Sequence, residues 1–197
     1  MSAPMQSRIR FATARSVFEA FPDLSYVVTP PGEDTDPLNH ARALLGSPRP
    51  SDAVLFISHL LPRREAVWWA AQCVRALLGE RAADETLGAA EVWVRTPEDD
   101  NRRAALSAAN ASDRRKPTTW LAFAAGWSGG SLLAADQKPL PPPSGACAMA
   151  ANTAIMMAVA AGDPRAVVDR IGACAEAGLR FASGGEPTVF IREAAPQ

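Results

Sequence analysis

Leu60-Leu61-Pro62-Arg63-Arg64-Glu65-Ala66-Val67-Trp68-Trp69-Ala70-Ala71-Gln72-Cys73-Val74-Arg75-Ala76-Leu77-Leu78-Gly79 is the stretch whose reading decides the fold. Pro62 suits a first helical turn, where no intrahelical N–H is lost, and Gly79 suits the stop. On a helical wheel Trp69 borders the stripe Ala66, Ala70, Val74 and Leu77. Trp68 shares its side with Arg64, Glu65 and Gln72. A helix with two apolar sides is expected at the centre of a helical domain.

Working outward, helix signals recur on both sides. Asp36-Pro37 is a cap and first-turn proline for a helix ending near Gly46. Ser51 or Asp52 caps a helix to Leu60, which meets the tryptophan helix at a tight corner. Asp84 to Arg95 is helical on balance. Thr96-Pro97-Glu98-Asp99 predicts the next start, with Thr96 as cap and the acids against the positive helix end. Glu98/Arg102 and Asp99/Arg103 are then i,i+4 pairs on a solvated face. Ala104 to Ala111 is nearly all alanine and serine and predicts a close helix contact. Pro117 to Trp127 and Ala146 to Ala161 are further helices, the latter apolar all round and central. The last helix is read over Pro164 to Ala177, with Val167, Val168, Ile171 and Cys174 as its stripe and Gly178, Gly184 and Gly185 closing it off. Phe11 to Ala20 reads as a short helix, Ser25 to Thr29 as extended, Thr29 to Pro37 as a loop, and Pro187 to Arg192 as β-like. Residues 128–145, with Pro139 and the Pro141-Pro142-Pro143 triplet, form a long Gly/Pro-rich loop.

The fold expected is all-α: a single-domain helical bundle of about seven or eight helices with orthogonal corners. It comprises a flexible N-terminus over 1–10, one domain over 11–183 and a tail over 184–197. A chain of 197 residues buries about 70% of its unfolded surface and supports one core. Basic and acidic residues nearly balance, 20 against 21, which gives no electrostatic reason for nucleic acid or an anionic membrane as partner. The first ten residues carry no apolar signal region, and no apolar run is long enough to span a membrane. Cys73, Cys147 and Cys174 are few, widely spaced and flanked by apolar residues, as reduced core cysteines of a cytoplasmic protein would be.

Candidate chemistry is sparse. Gly126-Trp127-Ser128-Gly129-Gly130 matches GxSxG, but that motif needs a preceding strand and a later histidine. His40 and His59 both lie upstream. The same glycines could form an anion nest, yet no Lys-Ser/Thr follows as in a phosphate loop. Two histidines with no cysteine at ligand spacing point to no metal and no cofactor. Cys73 is read as a buried structural thiol and His59 as a helix-end residue. What is left is a candidate partner surface: Arg64, Trp68, Trp127, Ser128, Pro141, Pro142 and Pro143, with tryptophan and arginine the types enriched at binding hot spots. A small-ligand or hydrolytic protein built on Ser128 and a regulatory module are the alternatives.

The blocks Ser58-His59-Leu60-Leu61-Pro62-Arg63-Arg64-Glu65-Ala66-Val67-Trp68-Trp69-Ala70, Ala90-Glu91-Val92-Trp93-Val94-Arg95, Asn101-Arg102-Arg103-Ala104-Ala105, Trp127-Ser128-Gly129-Gly130-Ser131-Leu132 and Pro141-Pro142-Pro143 occur in this order. Over residues 51–183 the chain resembles an uncharacterised family of bacterial helical proteins, a domain of unknown function often encoded near type VI secretion genes. The resemblance implies a non-enzymatic adaptor or chaperone accessory to that secretion, with a secreted effector or spike component as partner. It carries no catalytic residues over to this chain.

Overall fold

The computed structural model describes residues 7–32, 35–133 and 137–191. Among these there are nine α-helices and no strand: α1 Ala14–Ala20, α2 Pro37–Leu45, α3 Ser51–Leu60, α4 Arg63–Leu78, α5 Glu85–Arg95, α6 Asp99–Ala111, α7 Pro117–Gly126, α8 Ala146–Ala160 and α9 Val167–Ala182. Three 3-10 turns lie at Pro22–Tyr26, Gly79–Ala82 and Pro164–Ala166. The all-helical reading holds, with one or two helices more than expected.

Several helix ends differ from the sequence reading, each for a local reason. Pro62 precedes the first turn of α4 instead of occupying it. Leu61 and Pro62 are both extended, and this makes the corner between α3 and α4. Thr96 closes α5, and Glu98, not Thr96, stands at the start of α6. The Asn101 side-chain amide donates to the Thr96 carbonyl at 2.8 Å, so the junction is satisfied from its far side. Thr13 caps α1 by accepting from the Ser16 N–H, which shortens the helix read from Phe11. Residues Pro22–Tyr26, part of which was read as extended, turn as a 3-10 segment. Residues 187–191 form no strand, and Arg192 lies outside the described residues.

The largest difference is in α9. It runs through Gly178 to Ala182, and the chain leaves it at Gly184, with φ of 103°. A Cβ on Gly178 would lie 2.8 Å from Ile57 Cγ2 and 2.8 Å from Trp69 Cε2. Gly178 is therefore a crossing point that lets α9 approach α3 and α4. Trp69, fully buried, fills the space and donates from Nε1 to the Cys174 carbonyl at 3.0 Å, one turn before the glycine. Val168, read as part of the buried stripe, is 65% exposed, because α9 buries the face of Ile171, Cys174, Ala175 and Gly178 instead.

The two helices expected at the centre are there. α4 buries Ala66, Val67, Trp69, Ala70, Ala71, Cys73, Val74 and Leu77 against α5, α7, α8 and α9. α8 packs on α7, α4, α3 and α9. Ala105 and Ala109 are fully buried where the alanine-rich α6 lies on α7. No helix among the described residues is long and apolar enough to cross a membrane.

Candidate functional site

The Gly126–Ser131 segment is a clamp between two arginines. Arg63, at the start of α4, donates from Nη1 to the Ser128 carbonyl at 2.7 Å. Arg102, on α6, donates from Nη1 to the Gly126 carbonyl at 2.9 Å and from Nη2 to the Ser131 carbonyl at 3.2 Å. Its Nε bonds Asp99 at 2.7 Å. The solvated face expected for Arg102 is thus a misreading: the residue is 3% exposed. Gly130, at φ of 62°, lies flat against it, since a Cβ there would sit 2.7 Å from Nη2. Ser131 Oγ accepts from the Leu133 and Leu140 N–H groups, both at 3.1 Å, and the Leu132 N–H donates to the Leu140 carbonyl. The glycines and serines of this segment serve the close approach of guanidinium to backbone. Arg103, one residue on, is the peripheral partner of Asp99.

Ser128 has the surroundings of a structural residue: it is buried and its carbonyl is occupied by Arg63. Trp127 is half-buried, with its ring stacked on Phe123 at 4.7 Å. The recess beneath it is lined by Arg63, His59, Pro143, Gly145 and Cys147 and measures about 10 Å³. That is room for about one water. Pro141 and Pro143 are exposed and Pro142 is half-buried.

Two cysteines and both histidines are held in their neutral forms. Burial pushes the Cys147 thiol up to about 12, against a smaller opposing effect of Arg63. Burial also raises the Cys73 thiol, reinforced by its neighbour Cys174. Neither is a thiolate at neutral pH, which nucleophilic chemistry would require. His59 Nδ1 donates to the Leu55 carbonyl at 2.9 Å, and its ring meets Phe21 edge-on at 5.0 Å. His40 is wedged against Phe18 and Phe56, with centroids 5.9 and 4.9 Å away. Burial lowers both histidines below their ordinary value, and a single hydrogen bond that each donates to the backbone, His40 to Thr29 and His59 to Leu55, opposes it only in part. Among the described residues no group of three or more His, Cys, Asp or Glu side chains could hold a metal ion.

These histidines give a pH dependence with a defined sign. In the unfolded chain each takes a proton below about pH 6.5, while in the folded protein it resists until lower pH. The unfolded state therefore binds more protons in between. Stability is full above about pH 6.5 and falls as pH drops toward the lowered folded values, by up to about 1.4 kcal/mol per pH unit for each residue. Urea midpoints measured between pH 7.5 and 5 should decline, and the decline should flatten in a His40→Leu/His59→Asn variant. Parallel profiles for the two proteins would contradict this.

Trp68 lies elsewhere. It is half-buried in an open recess of about 320 Å³ lined by Arg8, Arg64, Glu65, Val94, Arg95, Phe181 and Glu186. The recess shares no lining residue with the one under Trp127. The structure thus divides the surface read from sequence into two, with Arg64 and Trp68 in one part and Trp127, Ser128 and the prolines in or near the other. Sequence reasoning missed Arg8, Arg95, Phe181 and Glu186, which lie far from Trp68 along the chain. Arg8 reaches the recess because its N–H donates to the Ala182 carbonyl at 3.0 Å and its Nη1 to the Phe181 and Gly185 carbonyls, each at 2.8 Å.

A second groove, of about 480 Å³, lies between the α2–α3 connection and α9, with Val168 and Phe190 exposed on it beside Asp169 and Glu176. Its charged lining residues are both acidic, and the Arg180 guanidinium lies over the Phe190 ring, 5.2 Å from its centroid.

The arrangement defines a class: an all-helical domain carrying an arginine-clamped glycine segment and an open arginine–tryptophan recess. The chain belongs to DUF6931, a family of unknown function, whose model matches residues 40–182. The match begins within α2 and ends with α9, so it takes in Arg64, Trp68, Arg95, Arg102 and the clamp, and leaves out Arg8 and Glu186. No curated protein and no solved structure matches the chain.

Proposed function

We propose that this protein is a non-enzymatic interaction protein, an adaptor or chaperone accessory to type VI secretion, and that it meets its protein partner at the Trp68 recess. The observation that carries the reading is the recess itself. A half-buried tryptophan stands in a concave surface with three arginines, between α4, α5 and the end of α9. Its volume, about 320 Å³, is at the lower end of ligand pockets. Its opening suits a side chain presented by a partner better than an enclosed metabolite. The link to secretion comes from the resemblance of the sequence blocks, and a secreted effector or a spike component is the partner it suggests.

The test is co-purification with the effectors and spike components of the same secretion system, comparing the native chain with Trp68→Ala. We expect one such component to be retained by the native chain and lost from the variant. Circular dichroism should show the variant folded, since Trp68 is at the edge of the core. Retention of no component, or equal retention by both proteins, would sink the proposal. The hydrolytic alternative at Ser128 has no observation in its favour, given the filled recess beside it.

A further inference from the structure

The charges around Trp68 are arranged to receive a group from outside. Five charged side chains line the recess: Arg8, Arg64, Arg95, Glu65 and Glu186. Two of the arginines are held by backbone. Arg64 Nε donates to the Val94 carbonyl at 2.6 Å, in the last turn of α5. Arg8 spans the Phe181 and Gly185 carbonyls at the end of α9, its guanidinium 4.2 Å from the centroid of the Phe181 ring. A guanidinium has five N–H donors, so both keep donors to spare. Arg95 is exposed and makes no hydrogen bond or ion pair among the described residues. Neither Glu65 nor Glu186 forms an ion pair with any of the three, although both line the same recess. The Trp68 indole N–H likewise has no partner among the described residues.

We propose that the recess binds an acidic residue and the apolar residue beside it on an extended peptide, the carboxylate between the guanidinium groups of Arg64 and Arg95 and the apolar side chain on the Trp68 ring. The inference rests on the reading of this recess as a protein contact and names the partner's chemistry. Arg64 and Arg95 approach from one side because Arg64 is tied to the residue that precedes Arg95. A planar guanidinium matches a carboxylate with two parallel hydrogen bonds. Fixing Arg64 beforehand removes part of the ordering cost of binding. The recess volume, about 320 Å³, has room for one such pair of side chains. Glu65 and Glu186 repel the same carboxylate, and Glu186, exposed beyond α9, sets an upper limit on affinity that its removal would lift.

The experiment is a fluorescence titration with two capped hexapeptides, one with Asp-Leu at its centre and the other with Asn-Leu, using Trp68→Phe to identify the responding tryptophan. The Asp peptide should bind about ten-fold tighter than the Asn peptide, and less tightly as salt is raised. Arg95→Gln, which breaks no internal bond, should abolish that preference, and Glu186→Gln should tighten Asp-peptide binding a few-fold. Equal binding of the two peptides, no binding of either at millimolar concentration, or a preference that survives Arg95→Gln would overturn the proposal. The two levels separate cleanly. If a secretion component is lost with Trp68→Ala but kept with Arg95→Gln, the contact stands and the acidic chemistry falls. If Trp68→Ala keeps every component, the contact itself falls.

Discussion

Arg102→Ala is expected to lower the unfolding free energy by about 3–5 kcal/mol, one of the two largest single-site effects in this protein. The side chain is 3% exposed and serves the Gly126 and Ser131 carbonyls together. Removing it strands both, at about 1–3 kcal/mol for each buried polar group left without a partner, and opens a void against Gly130. The ion pair with Asp99 adds little, because Asp99 is 54% exposed and keeps Arg103. Arg102→Lys should recover less than half of the loss, since an ammonium is a point donor and cannot span two carbonyls as a planar fork does. Arg103→Ala, on the same helix and the same carboxylate, should cost no more than about 1 kcal/mol. Urea unfolding of the three variants measures the contrast. An Arg102→Ala loss within about 1 kcal/mol of the Arg103→Ala loss would show that the clamp is not a major source of stability.

Trp69→Ala should cost a similar amount, about 3–5 kcal/mol, from the cavity and the lost bond to the Cys174 carbonyl. Gly178→Ala should cost about 1–3 kcal/mol from the opposite fault, overpacking, because its Cβ would enter the Trp69 ring and the Ile57 methyl. The two sites share one volume, so their effects should not add. In a Trp69→Leu background, which removes the ring atoms met by the new methyl and leaves only the Ile57 methyl, Gly178→Ala should cost less. A double-mutant cycle reports this as a coupling on the order of 1–2 kcal/mol. Additivity of the two substitutions would mean that α9 shifts freely and that the crossing is not tightly packed.

Arg102 and Gly178 are residues that the sequence places in other roles. Arg102 was read as half of a surface pair because its spacing from Glu98 and Asp99 is that of an exposed helix face. Spacing along one helix says nothing of what lies across it, and across from Arg102 is the Gly126–Ser131 backbone. Gly178 was read as a helix stop because glycine commonly ends helices. Whether a glycine ends a helix or admits a neighbour depends on that neighbour, here Trp69. Of the stripe Val167, Val168, Ile171 and Cys174, only Val168 faces outward, at the edge of the buried face of α9. In each case the local signal was real and the partner was missing.

The candidate site was legible only in part. Arg64 and Trp68 stood out because they lie one turn apart on a helix whose other side is apolar, a relation internal to the segment. Arg8, Arg95, Phe181 and Glu186 reach the same recess through the packing of α5 and α9 beside α4 and the pairing of residues 7–8 with the end of α9. The GxSxG resemblance illustrates the converse. Its residues and spacing are present, and two arginines decide that they form a backbone clamp.

The sequence by itself determined that this chain is helical and which helices are central. Caps, prolines and the period of apolar residues are local, and they act before distant parts of the chain meet. The tertiary structure decided what each polar residue is for. An arginine, a glycine or a serine takes its role from the group opposite it, and that group is brought there by folding. The stretch from Leu60 to Gly79 shows both halves: its helix and its buried Trp69 were readable in line, while the recess around Trp68 exists only once α5, α9 and Arg8 have closed around it.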